Sequence, residues 1–247
     1  MTKKNSAKAD RRAVVDQLRS QQKNADRRRN MMIVGVSMLV AALIIGSAAY
    51  RPVKNWYDLQ KFSGLDLSSI GAPADVCGEV TVDSSGAAGS HVAPGTPMTY
   101  PEAPPAFGDH WETWDPMERK FYTAADRPDL GMLVHNLEHG YAILWYDETA
   151  AADSEMMATI RGIASTFSGS TNYRMKFKAV PWTSADGDEF PEDQHIAFTR
   201  WSAGGIGNTD QAMFQGVWQY CSEPSGEALE QFMLEYPYMD SPEPNAS

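Results

Sequence analysis

The sequence predicts an α+β fold, a small mixed sheet with helices packed on it, preceded by a single transmembrane helix. Three observations support this prediction. Residues 31–50 form an uncharged apolar run, and apolar residues after Pro128 recur at helical and strand spacings in turn. Between them, residues 77–130 are rich in Pro, Gly and aromatic residues, which indicates one long ordered loop.

The N-terminal segment, residues 1–30, is basic, whereas the rest of the chain is acidic. It carries ten Lys/Arg against three Asp, net +7, and the remainder carries eleven Lys/Arg against 29 Asp/Glu, net −18. We expect a basic cytoplasmic tail in which residues 3–29 contact anionic inner-leaflet lipids. A solvated, partly disordered tail is the alternative. The acidic remainder repels phosphate backbones, so no nucleic-acid partner is expected.

The apolar run at 31–50 has the length of a membrane span, since twenty helical residues cross about 30 Å of hydrocarbon. Basic residues precede it, which places the N-terminus in the cytoplasm and the C-terminal domain outside the cell membrane. A cleaved signal peptide is the alternative, and Ser47-Ala48-Ala49 resembles a cleavage site. The run is longer than a usual signal core and thirty residues precede it, which favours an uncleaved signal anchor.

We divide the rest into a stalk at 51–76, an extracytoplasmic α+β domain at 77–240 and a disordered tail at 241–247. The chain has two cysteines, Cys77 and Cys221, and no CxxC motif. Outside the membrane, one disulfide between these two residues is expected.

Within the domain, Glu79 to Val82 predicts a short strand ahead of the long loop. The part after Pro128 predicts, in order, helix 129–139, strand 141–146, a helix ending at 167, strand 173–180 with one cationic solvated face, strand 195–201, helix 209–221 and helix 226–236. A strand–helix–strand unit with a hairpin partner gives a small mixed sheet.

Four of the five histidines predict the candidate site. His135 and His139 are four residues apart and would project from one face of a helix, with Glu138 beside them. His91 and His110 lie in the loop and would complete a site for one transition-metal ion, copper or zinc. Glu138 would not bind the ion itself but would hydrogen-bond one of the ligand histidines and so orient it. Alternatively, the histidine pair satisfies backbone carbonyls near a helix end.

Three other features of the sequence give weaker indications of function. The HxxEH order at 135–139 is that of inverted zinc peptidases, in which Glu138 would be the base of a hydrolase. The acidic run 186–193 does not fit a calcium loop and is interpreted as solvated. Most methionines fall on apolar helix stripes and are interpreted as core residues rather than copper ligands.

Several stretches together resemble a bacterial, mainly actinobacterial, domain-of-unknown-function family. They are His91 with Pro94-Gly95, Pro104-Pro105, Gly108-x-His110 and Val134-His135-Asn136-Leu137-Glu138-His139-Gly140. The family signature is Val-His-x-Leu-Glu-His-Gly, and this chain departs from the family pattern with Ala106-Phe107 ahead of His110. The resemblance implies a membrane-anchored or secreted domain in which His91, His110, His135, Glu138 and His139 are signature positions, and it brings no established activity.

These observations lead to one expected function and two alternatives. We expect an accessory or metal-handling module of a membrane-embedded protein complex, for example a respiratory oxidase. A zinc-dependent hydrolase and a purely structural envelope domain are the alternatives.

Overall fold

The computed structural model describes residues 2–84 and 87–246, and it describes side chains from Val14 onward. These residues divide into an N-terminal helical unit, which ends at Tyr57, and a second unit that begins at Asp58.

The N-terminal unit is a single long helix, α1, which spans Thr2–Gln60 and thus ends within the second unit. Between Val14 and Gln60 it contains an 18-residue stretch that is strongly apolar and fully exposed. The helix is therefore long and apolar enough to cross a membrane, as the sequence predicts. A signal sequence has the same properties, so the orientation of the chain stays a prediction.

The second unit contains a five-stranded sheet with helices on it. Its elements are β1 (Thr81–Asp83), β2 (His91–Val92), β3 (His110–Trp111), α2 (Leu130–Glu138), β4 (Ala142–Tyr146), α3 (Glu148–Ala152), α4 (Ser154–Thr166), β5 (Phe177–Pro181), β6 (Ile196–Ser202), β7 (Gln215–Cys221) and α5 (Gly226–Glu235). The order of this sheet is β1-β7-β6-β4-β5, in which β4 and β5 pair in parallel and the other neighbours pair antiparallel, whereas β2 and β3 form a separate two-stranded parallel sheet. The predicted mixed sheet of an α+β domain is thus confirmed.

The sheet separates two apolar cores. On one face, Leu144 and Phe198 pack with residues of α4 and α5. On the other face, Trp145 and Trp201 pack with Leu133 of α2 and with residues of the long loop. The four histidines of the candidate site lie on the same side of the sheet as α2.

The prediction of a helix at 209–221 is wrong, because residues 215–221 form strand β7. Apolar residues at 213, 214, 217, 218 and 221 have helical spacing, but β7 is an interior strand that buries side chains on both faces. Such a strand loses the alternating pattern. Its Val217, Trp218 and Tyr220 are residue types that favour strands.

The prediction for strand 173–180 is wrong in two respects: Tyr173–Met175 form a 3-10 turn and the strand begins at Phe177, and the lysines are buried rather than solvated. Lys178 is fully buried and pairs with Asp115, and its ammonium group also donates to the carbonyl of Pro116 at 2.7 Å. Lys176 is fully buried and donates to three backbone carbonyls. Alternation alone does not distinguish a solvated charge from one that is paired inside the fold.

Two segments outside the predicted domain pack onto it. In the expected stalk, Ile70 is buried and Phe62 and Leu67 pack against the same core. In the expected tail, Ser241 is buried. Cys77 and Cys221 lie with their sulfur atoms 2.04 Å apart, the distance of a disulfide, which joins the start of the domain to the end of β7.

Candidate metal centre

Helix α2 and the short strands β2 and β3 position the site. Leu133, Val134 and Leu137 of α2 are fully buried and pack into the core beside the sheet. Because residues three or four positions apart share a helix face, His135, Glu138 and the next residue, His139, lie together beside this stripe.

The pairing of β2 with β3 places the two loop histidines side by side. The strands run parallel in a register that sets His91 opposite His110. Directly paired residues on neighbouring strands point to the same face of a sheet. The loop between them is held closed by a 2.7 Å bond from the Tyr100 hydroxyl to the Asp109 carbonyl and by a 2.9 Å bond from the Ser90 amide to the Asp109 carboxylate.

Four side chains converge. His91, His110, His135 and Glu138 each offer one ligand atom, and these atoms all lie within 4.8 Å of one another. The three imidazole rings form a triangle with centroids 4.5, 4.8 and 4.9 Å apart. His110, His135 and Glu138 are buried, whereas the His91 side chain is 43% exposed and forms the solvent edge of the group.

Backbone carbonyls fix the orientation of two of the imidazoles. His110 Nδ1 lies 2.8 Å from the Gly108 carbonyl oxygen, and His135 Nδ1 lies 2.5 Å from that of Trp111. A carbonyl only accepts, so each Nδ1 carries the hydrogen, and each neutral ring presents a lone pair on Nε2. This is the arrangement by which metal-binding histidines are usually oriented.

The lone pair of His110 faces a carboxylate. His110 Nε2 lies 3.0 Å from Glu138 Oε2, and His91 Nε2 lies 3.5 Å from the same oxygen. Both His110 Nε2 and Glu138 Oε2 are buried and have no correctly aligned hydrogen-bond partner among the described residues. Two acceptors this close, both out of water, are costly unless a cation or a proton lies between them.

The electrostatics of the pair follow from this contact. Burial lowers the pKa of His110, but the adjacent Glu138 carboxylate and the Gly108 carbonyl outweigh it, and the pKa is raised overall. Burial raises the pKa of Glu138, but His110 and the other histidines outweigh it, and that pKa is lowered. Burial lowers the pKa of His135, which favours its neutral, metal-binding form. The site is therefore organised around a stabilised Glu138 carboxylate.

His139 lies next to this group but belongs to a second one. Its Nε2 is 2.8 Å from His135 Nε2, and its ligand atom converges with those of Glu138 and Glu243. Of the four histidines expected to bind together, the structure thus brings three into one group. It places Glu138, expected behind a histidine, among the ligand atoms themselves.

Two tryptophans enclose the histidines. The Trp201 ring lies 5.6 Å from that of His110, and Trp114 lies 5.2 Å from His135 and 5.0 Å from His139. Trp201 is buried and covers His110 from inside the fold, whereas Trp114 is partly exposed and lies against the buried His135 and His139.

Three further residues support the site. Asn136 exchanges hydrogen bonds of 2.9 and 3.0 Å with the backbone of Asp115 and so ties the loop to α2. Gly140 has φ +84, and a Cβ there would lie 2.4 Å from the Tyr238 carbonyl oxygen, which explains the glycine that ends the motif. Asn136 and Gly140 stand in the signature stretch 134–140, and a glycine commonly follows the end of a helix. Sequence reasoning missed Glu243, which lies in a proline-containing tail without periodicity.

The fifth histidine lies elsewhere. His195 Nδ1 lies 2.8 Å from Asp147 Oδ2, at the opposite end of β4 and β6 from the cluster residues of α2. Because His195 belongs to neither ligand group, it provides a natural control for experiments on the other histidines.

Comparison with known proteins gives one match. Residues 91–247 match the model of a family described as "Protein of unknown function (DUF3105)". The match begins at His91 and includes every residue of both ligand groups. No curated protein and no solved structure matches the chain.

Proposed function

The chain belongs to the DUF3105 family of proteins of unknown function, and for this member we propose the role of a membrane-anchored metal-binding module. The observation that carries the proposal is the buried pair His110 Nε2 and Glu138 Oε2, which face each other at 3.0 Å without a correctly aligned hydrogen bond, beside two further imidazoles.

The donor set indicates the kind of ion. Three imidazoles and one carboxylate suit a borderline divalent ion such as Zn²⁺ or Cu²⁺. Both cysteines of the chain form the disulfide, so neither offers the soft thiolate ligand that Cu(I) prefers. Ligands about 2.0–2.1 Å from a tetrahedral ion lie roughly 3.3 Å apart, and the contacts of 3.0 and 3.5 Å to Glu138 Oε2 bracket that spacing.

The long apolar helix supports a location at the membrane. We propose that the helix anchors the module with the domain outside the cell membrane, where it handles copper or zinc beside a membrane-embedded complex. The disulfide supports this side, because such bonds persist in oxidising compartments.

The hydrolase alternative is less well supported. It requires Glu138 to act as a base on a water molecule, separate from the metal ligands. Glu138 Oε2 lies within 3.5 Å of two histidine nitrogens, which favours a ligand role. The exposed edge of His91 would let a small molecule reach the ion, so hydrolysis by the zinc-loaded chain remains a worthwhile control assay.

Metal binding by the full chain in detergent tests the proposal. After removal of bound metal with a chelator, equilibrium dialysis against Zn²⁺ or Cu²⁺ should load the wild type stoichiometrically. His110→Ala and His91→Ala should each weaken binding at least about 100-fold, the upper end of what even an outer-shell change costs. His195→Ala should bind like the wild type.

His91 is exposed, so its variant separates loss of a ligand from loss of the fold. A wild type that takes up neither ion would refute the proposal, and so would His91→Ala and His110→Ala variants with wild-type affinity.

A further inference from the structure

A second group of ligand atoms adjoins the first and shares one residue with it. Glu138, His139 and Glu243 converge within 4.8 Å, and Glu138 also belongs to the group with His91, His110 and His135. His139 is buried at the end of α2, whereas the Glu243 side chain is 49% exposed. His139 Nε2 lies 3.6 Å from Glu243 Oε2.

The C-terminal segment that carries Glu243 is fastened to the site. The Glu243 amide donates to the Glu138 carbonyl at 2.9 Å. Asp240 accepts from the Ser202 hydroxyl at 2.7 Å and from the Gly205 amide at 2.8 Å. The Glu243 carboxylate is therefore brought to His139 by the hydrogen bond of its own amide and by the side-chain contacts of Asp240 that precede it.

Lys176 completes this attachment. Its buried ammonium donates to the carbonyls of His139, Pro244 and Ala246, at 2.6, 2.9 and 2.6 Å. Three acceptors match the three donors of an ammonium group. Lys176 thus joins the end of α2 to the tail, and its donors are directed at carbonyls rather than at the Glu138 or Glu243 carboxylates.

The two groups meet at the end of α2. Glu138 belongs to both, and His135 of the first group and His139 of the second have their Nε2 atoms 2.8 Å apart. A carboxylate has two oxygens, and one of those of Glu138, Oε2, already faces His91 and His110. Because Glu138 belongs to both groups and a carboxylate can coordinate through either oxygen, it can serve an ion in each.

We propose that Glu138 bridges two divalent transition-metal ions. The first is bound by His91, His110 and His135, and the second by His139 and Glu243, with the tail supplying a ligand. This inference rests on the proposed metal-binding function and extends it from one ion to two. Carboxylate-bridged ions of this type lie about 3.5–4 Å apart.

The ion count of the full chain, in detergent and loaded with Zn²⁺, tests the second site. We expect two zinc ions per wild-type chain and one per Glu243→Gln chain. The Glu243 side chain is half exposed, and the hydrogen bond from its backbone amide to the Glu138 carbonyl does not depend on that side chain, so this variant should fold. Glu230→Gln, on the exposed face of α5, removes the same charge elsewhere and should retain two ions.

The positions of the ions provide a second readout. Anomalous diffraction from zinc-loaded crystals should show two peaks about 3.5–4 Å apart in the wild type, and only the peak near His91 in Glu243→Gln. One ion in both proteins, or two in both, would overturn the second site while leaving the first intact. No zinc in the wild type would overturn both.

Discussion

At the residue scale, metal binding depends on which nitrogen of each imidazole is free. The carbonyls of Gly108 and Trp111 accept from Nδ1 of His110 and His135, so both Nε2 atoms point into the cluster. The sequence predicts which histidines meet, because spacing and loop position are visible in it. It does not reveal the carbonyls that orient them, since every residue type has a backbone carbonyl. It does not reveal Glu243 either, because that residue reaches the site only through the packing of the C-terminal tail on the domain.

The pKa shifts at the site predict how metal binding depends on pH. The raised pKa of His110 means that this ring holds a proton, beside the ionised Glu138, to a higher pH than an ordinary histidine. A metal ion must displace that proton, so affinity should be highest above the raised pKa and fall as the pH decreases through it. At lower pH still, protonation of His135 and then Glu138, whose pKa values are lowered, should abolish binding.

Zn²⁺ affinity measured between pH 8 and pH 5 checks this expectation. Each proton displaced costs about tenfold in affinity per pH unit below the pKa of the group. An affinity that does not change over this range would contradict a site built on imidazole nitrogens.

At the element scale, the site depends on how closely α2 approaches β3. Trp111 of β3 contacts α2 through its ring and accepts from His135 through its carbonyl. Gly131 permits this approach, since a Cβ on Gly131 would lie 2.6 Å from the Trp111 ring. The helical stripe of α2 is readable from the sequence, but β2 and β3 are two residues each and have no periodicity. Strand β7 escaped prediction because burial on both faces removes the alternation that identifies a strand.

Gly131→Ala should therefore weaken metal binding although it changes no ligand. The added methyl group would push Trp111, and with it His110, away from α2, and we expect at least about a tenfold loss of Zn²⁺ affinity, the lower end of an outer-shell effect. Overpacking of this kind costs about 1–3 kcal/mol of stability. Dialysis and thermal unfolding measure the two effects.

Gly162→Ala in α4 is the matched control. A Cβ there would lie 2.5 Å from the Phe62 ring, in a helix–aromatic contact that does not include the cluster. It should lower stability similarly and leave affinity unchanged. Equal affinity losses in both variants would show that general destabilisation, and not the α2–β3 contact, sets metal binding.

At the scale of the whole molecule, the chain combines an apolar N-terminal helix with an α+β domain that extends beyond its predicted limits. Residues 58–76 and 240–246 pack on the domain through Ile70, Asp240 and the carbonyls bound by Lys176. Composition reveals the helix and the acidic domain well. It does not reveal that both end segments pack, because the apolar residues of 58–76 lack a regular period and residues 240–246 are held by polar side-chain and backbone hydrogen bonds.

The basic segment before the apolar run predicts the topology. Protease added outside intact protoplasts should digest the domain after residue 57 and leave the basic N-terminal segment protected. Detection of each end with a specific antibody measures this. Protection of the domain, with digestion of the N-terminus, would contradict the predicted orientation.

The most direct test of the central claim, that His91, His110, His135 and Glu138 bind one ion, is X-ray absorption spectroscopy of the full chain loaded with one equivalent of Zn²⁺. We expect a first shell of nitrogen and oxygen at about 2.0–2.1 Å, with imidazole scattering from three rings that decreases by one ring in His91→Ala and is unchanged in His195→Ala. A zinc spectrum without imidazole scattering, or one that is identical in all three proteins, would contradict the account.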